Sequence, residues 1–190
     1  MDAHKLQVKI YAADAAAFHL EPFVPVFQSW IRNAALGELL LDVVDYGHVH
    51  HGPGVLLVGH ASDYSADLGE GRPGLVCSRK REAPEPRERL RDALRRTLHA
   101  CALLEREPAF EGNLKFRTDE ILLRIMDRLR APNSAAVHRA LRTELSEFVG
   151  TLFDGVICEL TPEGDEKQPF AVRIRAKSAP SLSALLERVA

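Results

Sequence analysis

The stretch that decides the fold class is residues 39–58, which read LLLDVVDYGHVHHGPGVLLV. The leucine- and valine-rich run at 39–46 and the run Val55-Leu56-Leu57-Val58 are typical of strands, and His51-Gly52-Pro53-Gly54 between them is a strong turn signal. Leu75-Val76-Cys77 begins a third strand after a loop rich in glycine and proline. Connections this short cannot hold a parallel crossover, so the stretch predicts an antiparallel meander.

Four helices are predicted around this meander from apolar residues at three- and four-residue spacing. The first opens at Glu21-Pro22 and stops near Gly37. The second begins at Pro84-Glu85-Pro86 and carries an apolar stripe to about Arg106. A third starts at Pro132-Asn133-Ser134, and a short fourth covers 181–189.

Further strands are predicted before and after the meander. Residues 6–10 alternate between apolar and polar side chains, and residues 156–160 and 170–175 form a hairpin around a charged turn. The segment 119–130 fits either a helix or a strand. A strand is preferred, because Leu114-Lys115-Phe116 just before it could pair with it as a hairpin.

The predicted element order is β-α-β-β-β-α-β-β-α-β-β-α. Runs of strands followed by helices favour a single α+β domain over residues 1–190, with a mainly antiparallel sheet and helices packed on one side. The inner part of this order, α-β-β-β-α-β-β-α, resembles that of the small chaperones of bacterial secretion systems. The resemblance is one of order, with no shared sequence motif, and it implies nothing about function.

Composition narrows the class of protein. A chain of 190 residues with 46% hydrophobic and 27% charged residues is typical of a globular domain. No signal-peptide pattern is visible in the residues before the first predicted strand, and the apolar runs are too short to span a membrane. Three cysteines, widely separated and without zinc-type spacing, indicate buried reduced thiols. We therefore predict a cytoplasmic protein with no membrane partner.

Basic residues are concentrated in the middle of the chain, around Arg79-Lys80-Arg81 and the helix that follows. Acidic residues lie among them at spacings that allow helix ion pairs. With an aromatic fraction of 6% and a pI near 6.4, this argues against a nucleic-acid partner. The GxGxxG match at 69–74 precedes a strand and contains proline, so it is interpreted as a loop rather than a dinucleotide site.

The histidines of the central stretch are the strongest sign of chemistry. On a strand, His48 and His50 share a face, and imidazoles suit zinc and related transition metals. If His50 lies opposite Val55, His60 points to the other side of the sheet. If the hairpin register slips by one residue, His60 lies on the same side as His48 and His50. A zinc-hydrolase box H-x-H-x-D-H starts at His48 but breaks at Gly52 and Pro53. The alternatives are a structural or exposed histidine cluster and acid–base or substrate-binding use.

Several segments resemble a family of uncharacterised bacterial proteins over most of the chain. They are Pro25-Val26-Phe27-Gln28-Ser29-Trp30-Ile31, Asp45-Tyr46-Gly47-His48-Val49, Gly52-Pro53-Gly54-Val55-Leu56-Leu57-Val58-Gly59-His60, Asp63-Tyr64 and Asp127-Arg128-Leu129-Arg130-Ala131-Pro132-Asn133. The resemblance carries no activity, cofactor or partner. It leaves Tyr46, His48, His60, Asp63 and Tyr64 as candidates for a shared surface.

The preferred hypothesis is a binding module for a small molecule or a protein partner that does no covalent chemistry. Its site would lie on the hairpin and loop at 45–64, with Tyr46, His48, His60, Asp63 and Tyr64 as ligand-binding groups. The first alternative is a metal-dependent or histidine-based enzyme using His48, His50 and His60. The second is a structural homo-oligomer, assembled through an exposed sheet edge or the helix of Trp30.

Overall fold

Eight β-strands and four α-helices make up the fold in the computed structural model, which describes residues 5–50, 52–81, 84–86 and 88–190. The strands are β1 (Leu6–Ala12), β2 (Leu40–Asp45), β3 (Val55–Gly59), β4 (Ser62–Asp67), β5 (Gly74–Arg79), β6 (Phe116–Ile125), β7 (Cys158–Pro162) and β8 (Phe170–Ala176). The helices are α1 (Phe23–Asn33), α2 (Arg89–Leu104), α3 (Ala135–Leu152) and α4 (Leu182–Arg188).

All eight strands pair antiparallel in one sheet, in the order β2-β3-β4-β5-β1-β6-β8-β7. The helices pack on one side of this sheet, which confirms the predicted α+β class. The first strand of the chain therefore lies in the middle of the sheet, between β5 and β6. This placement brings β1, β6 and β8 side by side.

The helices bury the apolar stripes that the sequence predicts. α1 packs on β2 and β3, and α2 packs on β1 and β5. Phe23 and Phe27 of α1 and Leu94 and Leu98 of α2 are almost fully buried. Burying one such side chain contributes about 1.5–3 kcal/mol relative to leaving it in water. Trp30 of α1 is also buried, and the oligomer interface predicted for its helix stays a prediction.

The two sides of the sheet differ sharply. Alternate residues of a strand point to opposite sides. Leu6, Val8 and Ile10 therefore join the main core under the helices. Tyr11 belongs instead to a separate buried cluster on the other side. That side, which we call the open face, carries Lys9, Tyr11, Glu120, Leu122 and Ala171.

Two strands differ in detail from the predicted order. β4 lies where the sequence predicted a loop, because its serine and aspartate residues lack an apolar alternation and its pairing with β3 and β5 stabilises it instead. The strand preference for 119–130 is confirmed as far as Ile125. The predicted hairpin with 114–116 is wrong. No turn residue interrupts Arg117-Thr118-Asp119, so the chain continues as the single long strand β6.

The cysteines fit the predicted reduced thiols. Cys77, Cys101 and Cys158 are free, and the first two are fully buried. Burial raises the pKa of the Cys77 thiol to about 12 and raises that of Cys101 as well. Both side chains therefore stay protonated and act as small apolar residues of the core.

Within the described ranges, none of the helices combines the length and the apolar character needed to cross a membrane.

Candidate functional site

The hairpin of β2 and β3 has a longer loop than the sequence predicted. Asp45 lies opposite Val55 and Leu40 lies opposite Gly59. The N–H of Tyr46 donates to the carbonyl of Gly54 across 2.7 Å, so residues 46–54 form the connection. Both registers considered from the sequence are therefore wrong, because the glycine-rich segment turns away before the histidines can extend β2.

Three of the predicted residues meet at this hairpin. Tyr46, His48 and His50 line a hollow of about 540 Å³, whose opposite wall is the 3-10 turn Gly69–Gly71. Tyr46 is half-buried, whereas His48 and His50 are exposed. We call this the hairpin-tip hollow. His51 lies outside the residues that the structure describes.

The other predicted residues lie elsewhere. His60 follows β3 at its far end, where its N–H donates to the carbonyl of Leu39. Asp63 lies on the open face and pairs with Lys80 at 2.6 Å. Tyr64 is buried on the helix side, and its hydroxyl donates to Glu38 across 2.6 Å. The predicted set of five residues therefore does not form one surface.

The predicted metal site is not assembled either. His48 and His50 precede β3 and His60 follows it, and five extended residues span roughly 17 Å. Over the ranges that the structure describes, no group of three histidine, cysteine, aspartate or glutamate side chains is placed to hold a metal ion. The set of His48, His50 and His60 is thus corrected, because it required a register that the hairpin does not have.

A cluster that the sequence reading missed lies on the open face around Glu120. This side chain on β6 is fully buried. Its carboxylate oxygens lie 2.7 Å from Arg72, 3.1 Å from Arg117, 3.7 Å from Arg173 and 3.5 Å from Arg175. We call Arg72, Arg117, Arg173 and Arg175 the arginine group. One carboxylate thus holds four guanidinium groups whose side chains are between 29% and 50% exposed.

Pairing of the central strands creates this cluster. Glu120 lies directly opposite Arg175, and Leu122 lies opposite Arg173, in the register of β6 and β8. Arg72 reaches the same carboxylate from the segment that leads into β5. Because β1 lies beside β6, Tyr11 joins the cluster around Glu120.

Tyr11 is the unusual member of this cluster. It is 1% exposed, and its hydroxyl makes no hydrogen bond with any part of the chain that the structure describes. The guanidinium of Arg72 stacks 3.8 Å from the centre of its ring. Burial raises the pKa of Tyr11 above 10.0, against the charges of Arg72 and Arg173. At neutral pH the hydroxyl is therefore a hydrogen-bond donor that has no acceptor.

The segment 68–73 folds over part of the open face and is tied to it through the carbonyl of Gly69, through Glu70 and through Arg72. Lys9 is fully buried and binds Asp67 at 2.5 Å and the carbonyl of Gly69 at 3.1 Å. Glu70 pairs with Arg124 of β6. The GxGxxG match is thus a loop that leads into a strand, as predicted, and it separates the hairpin-tip hollow from the open face.

A second hollow of about 450 Å³ lies on the open face, and we call it the open-face hollow. Its floor includes Leu122 and Ala171, which pack against Tyr11. Its rim includes Arg124 and Glu163. Glu163 also approaches Arg173 to 2.9 Å, so the hollow adjoins the arginine group.

The carboxylates beside the arginine group stay ionised at neutral pH. Burial alone raises the pKa of Glu120, but the hydrogen bond from Arg72 and the charges of Arg72, Arg117 and Arg175 outweigh it, so the pKa lies below its ordinary value of 4.5. The hydrogen bond from Arg117 lowers the pKa of Asp119 below 3.8, against the effect of burial. Neither group is therefore suited to accept a proton near neutral pH.

Part of this cluster is visible in the sequence. Arg173 and Arg175 alternate with apolar residues on a predicted strand, and Tyr11 extends the alternation of the first strand. What the sequence does not show is that β1 pairs with β6 and that β6 pairs with β8. The cluster exists only because of those two long-range pairings.

No protein-family model and no curated protein matches this chain. The resemblance to a family of uncharacterised bacterial proteins therefore stays a prediction.

Proposed function

We propose that this chain is a binding module without covalent chemistry and that its ligand site is the open-face hollow. The observation that carries the proposal is the cluster of Tyr11, Leu122 and Ala171. These residues are 1%, 2% and 5% exposed although they lie on the side of the sheet that no described helix covers. Binding sites commonly combine an apolar floor with a few polar groups at the rim.

The chemistry of the rim supports binding rather than catalysis. The charged groups beside the hollow are arginines, which do not titrate near neutral pH, and the carboxylates of Asp119 and Glu120, whose pKa values the neighbouring arginines hold below their ordinary values. A general acid or base needs a pKa close to the working pH. The side chains of this site instead fix charges and hydrogen-bond donors at defined positions.

A neutral apolar fluorophore, 1-N-phenylnaphthylamine, tests the proposal. We expect saturable binding by the folded protein, seen as increased fluorescence. Ala171→Arg places a long side chain in the hollow and should abolish that binding, whereas Ala140→Arg, the same change at an exposed position of α3, should preserve it. Equal binding by both variants would contradict the proposal.

The hairpin-tip hollow is the second candidate site. Tyr46, His48 and His50 lie there opposite Gly69–Gly71 and supply hydrogen-bonding groups to a hollow that Leu20, Val49 and Leu68 also line. Titration with imidazole-binding nickel–nitrilotriacetate would test whether the two histidines act together, with His48→Ala as the variant that should weaken the interaction.

A homo-oligomer that assembles through β2, one of the two edge strands of the sheet, stays a prediction. Leu39 and Leu41 beside this edge are 63% and 53% exposed. Such apolar groups on an edge strand favour association. A size-exclusion mass that rises with protein concentration, and that stays monomeric in Leu41→Lys, is the expected result.

A further inference from the structure

The arginine group has more hydrogen-bond donors than its surroundings use. Each guanidinium carries five N–H donors. Arg72 and Arg175 each give one hydrogen bond to Glu120, and Arg117 gives two to Asp119. Nε of Arg173 lies 2.9 Å from Glu163 but outside hydrogen-bond geometry. Within the described part of the chain, most N–H groups of the arginine group therefore have no protein acceptor.

The charges around the arginine group also leave an excess. Four guanidinium groups pair with three carboxylates, those of Glu120, Asp119 and Glu163. One positive charge remains. Glu159 lies opposite Arg175 on β7, but it is exposed and forms no ion pair with Arg175 among the described residues. The group is thus suited to one additional anionic group.

Tyr11 supplies an independent observation. The charges of Arg72, Glu70, Arg173 and Glu120 all act on this side chain, and its buried hydroxyl has no acceptor in the part of the chain that the structure describes. Glu120, whose oxygens face the arginines, does not accept from this hydroxyl in the structure. A buried donor without an acceptor is costly for the free protein, and a ligand oxygen would satisfy it.

We propose that the arginine group and the hydroxyl of Tyr11 together bind an oxyanion, a carboxylate or a phosphate, carried by the ligand whose apolar part enters the open-face hollow. This inference rests on the proposed function. The ligand is then amphipathic and carries a single anionic group. Guanidinium groups bind both oxyanions through paired N–H donors, and the hydroxyl of Tyr11, whose ring stacks on Arg72, adds a further donor beside the arginine group.

Three probes of similar size separate the contributions: benzoate, phenyl phosphate and the neutral benzyl alcohol. Each is titrated into ¹⁵N-labelled protein, and the amide shifts of Leu122 and Ala171 report binding at the hollow. We expect at least one anion to bind about tenfold more tightly than benzyl alcohol. Which anion binds more tightly identifies the carboxylate or the phosphate as the ligand's group.

Two variants assign that preference to the site. Tyr11→Phe removes a hydroxyl that makes no bond in the free protein, and Arg175→Gln changes the most exposed member of the arginine group. Each should weaken binding of the preferred anion by about tenfold and leave the affinity for benzyl alcohol unchanged. Arg142→Gln on the exposed face of α3 removes the same charge on the other side of the sheet and should change neither.

The possible failures are distinguishable. If benzyl alcohol binds as tightly as both anions, the oxyanion site is refuted while the hollow remains a ligand site. If the anions bind better but Tyr11→Phe and Arg175→Gln match Arg142→Gln, the preference arises elsewhere and the inference is again refuted. If no probe shifts Leu122 or Ala171, the proposed function fails with it.

Discussion

The two hollows lie on either side of the segment 68–73, and they are held in different ways. The hairpin-tip hollow lies at a glycine-rich loop on which His48 and His50 are exposed. The open-face hollow lies beside a network of side chains, in which Tyr11 and Glu120 are buried among arginines. Polar side chains that are close in sequence can thus be more exposed and less firmly held than polar side chains brought together from distant strands.

The largest loss of stability is expected at the hairpin tip, where the backbone of Gly54 lies very close to β4. Gly54 has φ +68, and an added Cβ overlaps the carbonyl oxygen of Ala66 on β4. Gly54→Ala should therefore lower the free energy of unfolding by about 3 kcal/mol, which combines backbone strain and overpacking. Urea unfolding measures it.

Gly71→Ala is the matched control for this change. Gly71 has φ +66, but no atom lies within 4 Å of its added Cβ. Only the left-handed backbone is penalised, at about 1 kcal/mol. Equal losses in the two variants would show that the contact with Ala66 does not hold the hairpin tip.

The next largest loss of stability is expected at Glu120, whose carboxylate pairs with all four members of the arginine group. Glu120→Gln keeps the shape of the side chain but leaves four guanidinium groups without their shared charge. Because the arginines are partly exposed, we expect a loss of about 2 kcal/mol rather than the 3–5 kcal/mol of a fully buried pair. In Glu159→Gln, on the edge strand β7, urea unfolding should detect almost no loss.

The contribution of Glu120 should depend on pH in one direction. Its pKa is lowered in the folded state, so its stabilisation is complete above the ordinary value of 4.5 and disappears as the pH falls through the folded pKa. The difference in unfolding free energy between the natural protein and Glu120→Gln should be constant from pH 7 to about 5 and shrink below about 4.5. A difference that grows in acid would contradict the arrangement around Glu120.

A smaller effect of opposite sign is expected for Tyr11→Phe. Removing a buried hydroxyl that lacks an acceptor relieves its desolvation cost, so the free energy of unfolding should rise by about 1 kcal/mol. Thermal and urea unfolding both measure this gain. A loss of stability would show that the hydroxyl already has a partner in the free protein.

The smallest effect is expected for His48→Ala. The side chain is exposed at the hairpin tip, and surface substitutions of this kind usually change stability by less than about 0.5 kcal/mol. Urea unfolding of this variant beside Gly54→Ala would show that backbone, and not imidazole, stabilises the hairpin-tip hollow. A loss comparable to that of Gly54→Ala would reverse this conclusion.

The sequence predicted those parts of the fold whose signals are local. Apolar spacing identified α2 and α3, and the alternation at 156–160 and 170–175 identified the hairpin of β7 and β8. β4 was missed because Ser62 and Ser65 are buried without being apolar. Such a segment forms a strand because it hydrogen-bonds to two neighbouring strands, and its own composition does not reveal that pairing.

The candidate site was harder to predict for a related reason. Tyr46, His48 and His50 stand close together in sequence and do share a hollow. His60, Asp63 and Tyr64 do not join them, because strand register and alternation send them to other places. Tyr11, Arg72, Glu120 and Arg175 are far apart in sequence and meet only through the central pairings.

The position of β1 in the middle of the sheet constrains how the chain can assemble. Gln7 reaches Ser78 and Arg124, which are 71 and 117 residues further along. During synthesis β1 therefore emerges long before either neighbour exists, and one of its edges stays unpaired until β6 has left the ribosome. Such distant pairings slow folding and expose an early, aggregation-prone segment.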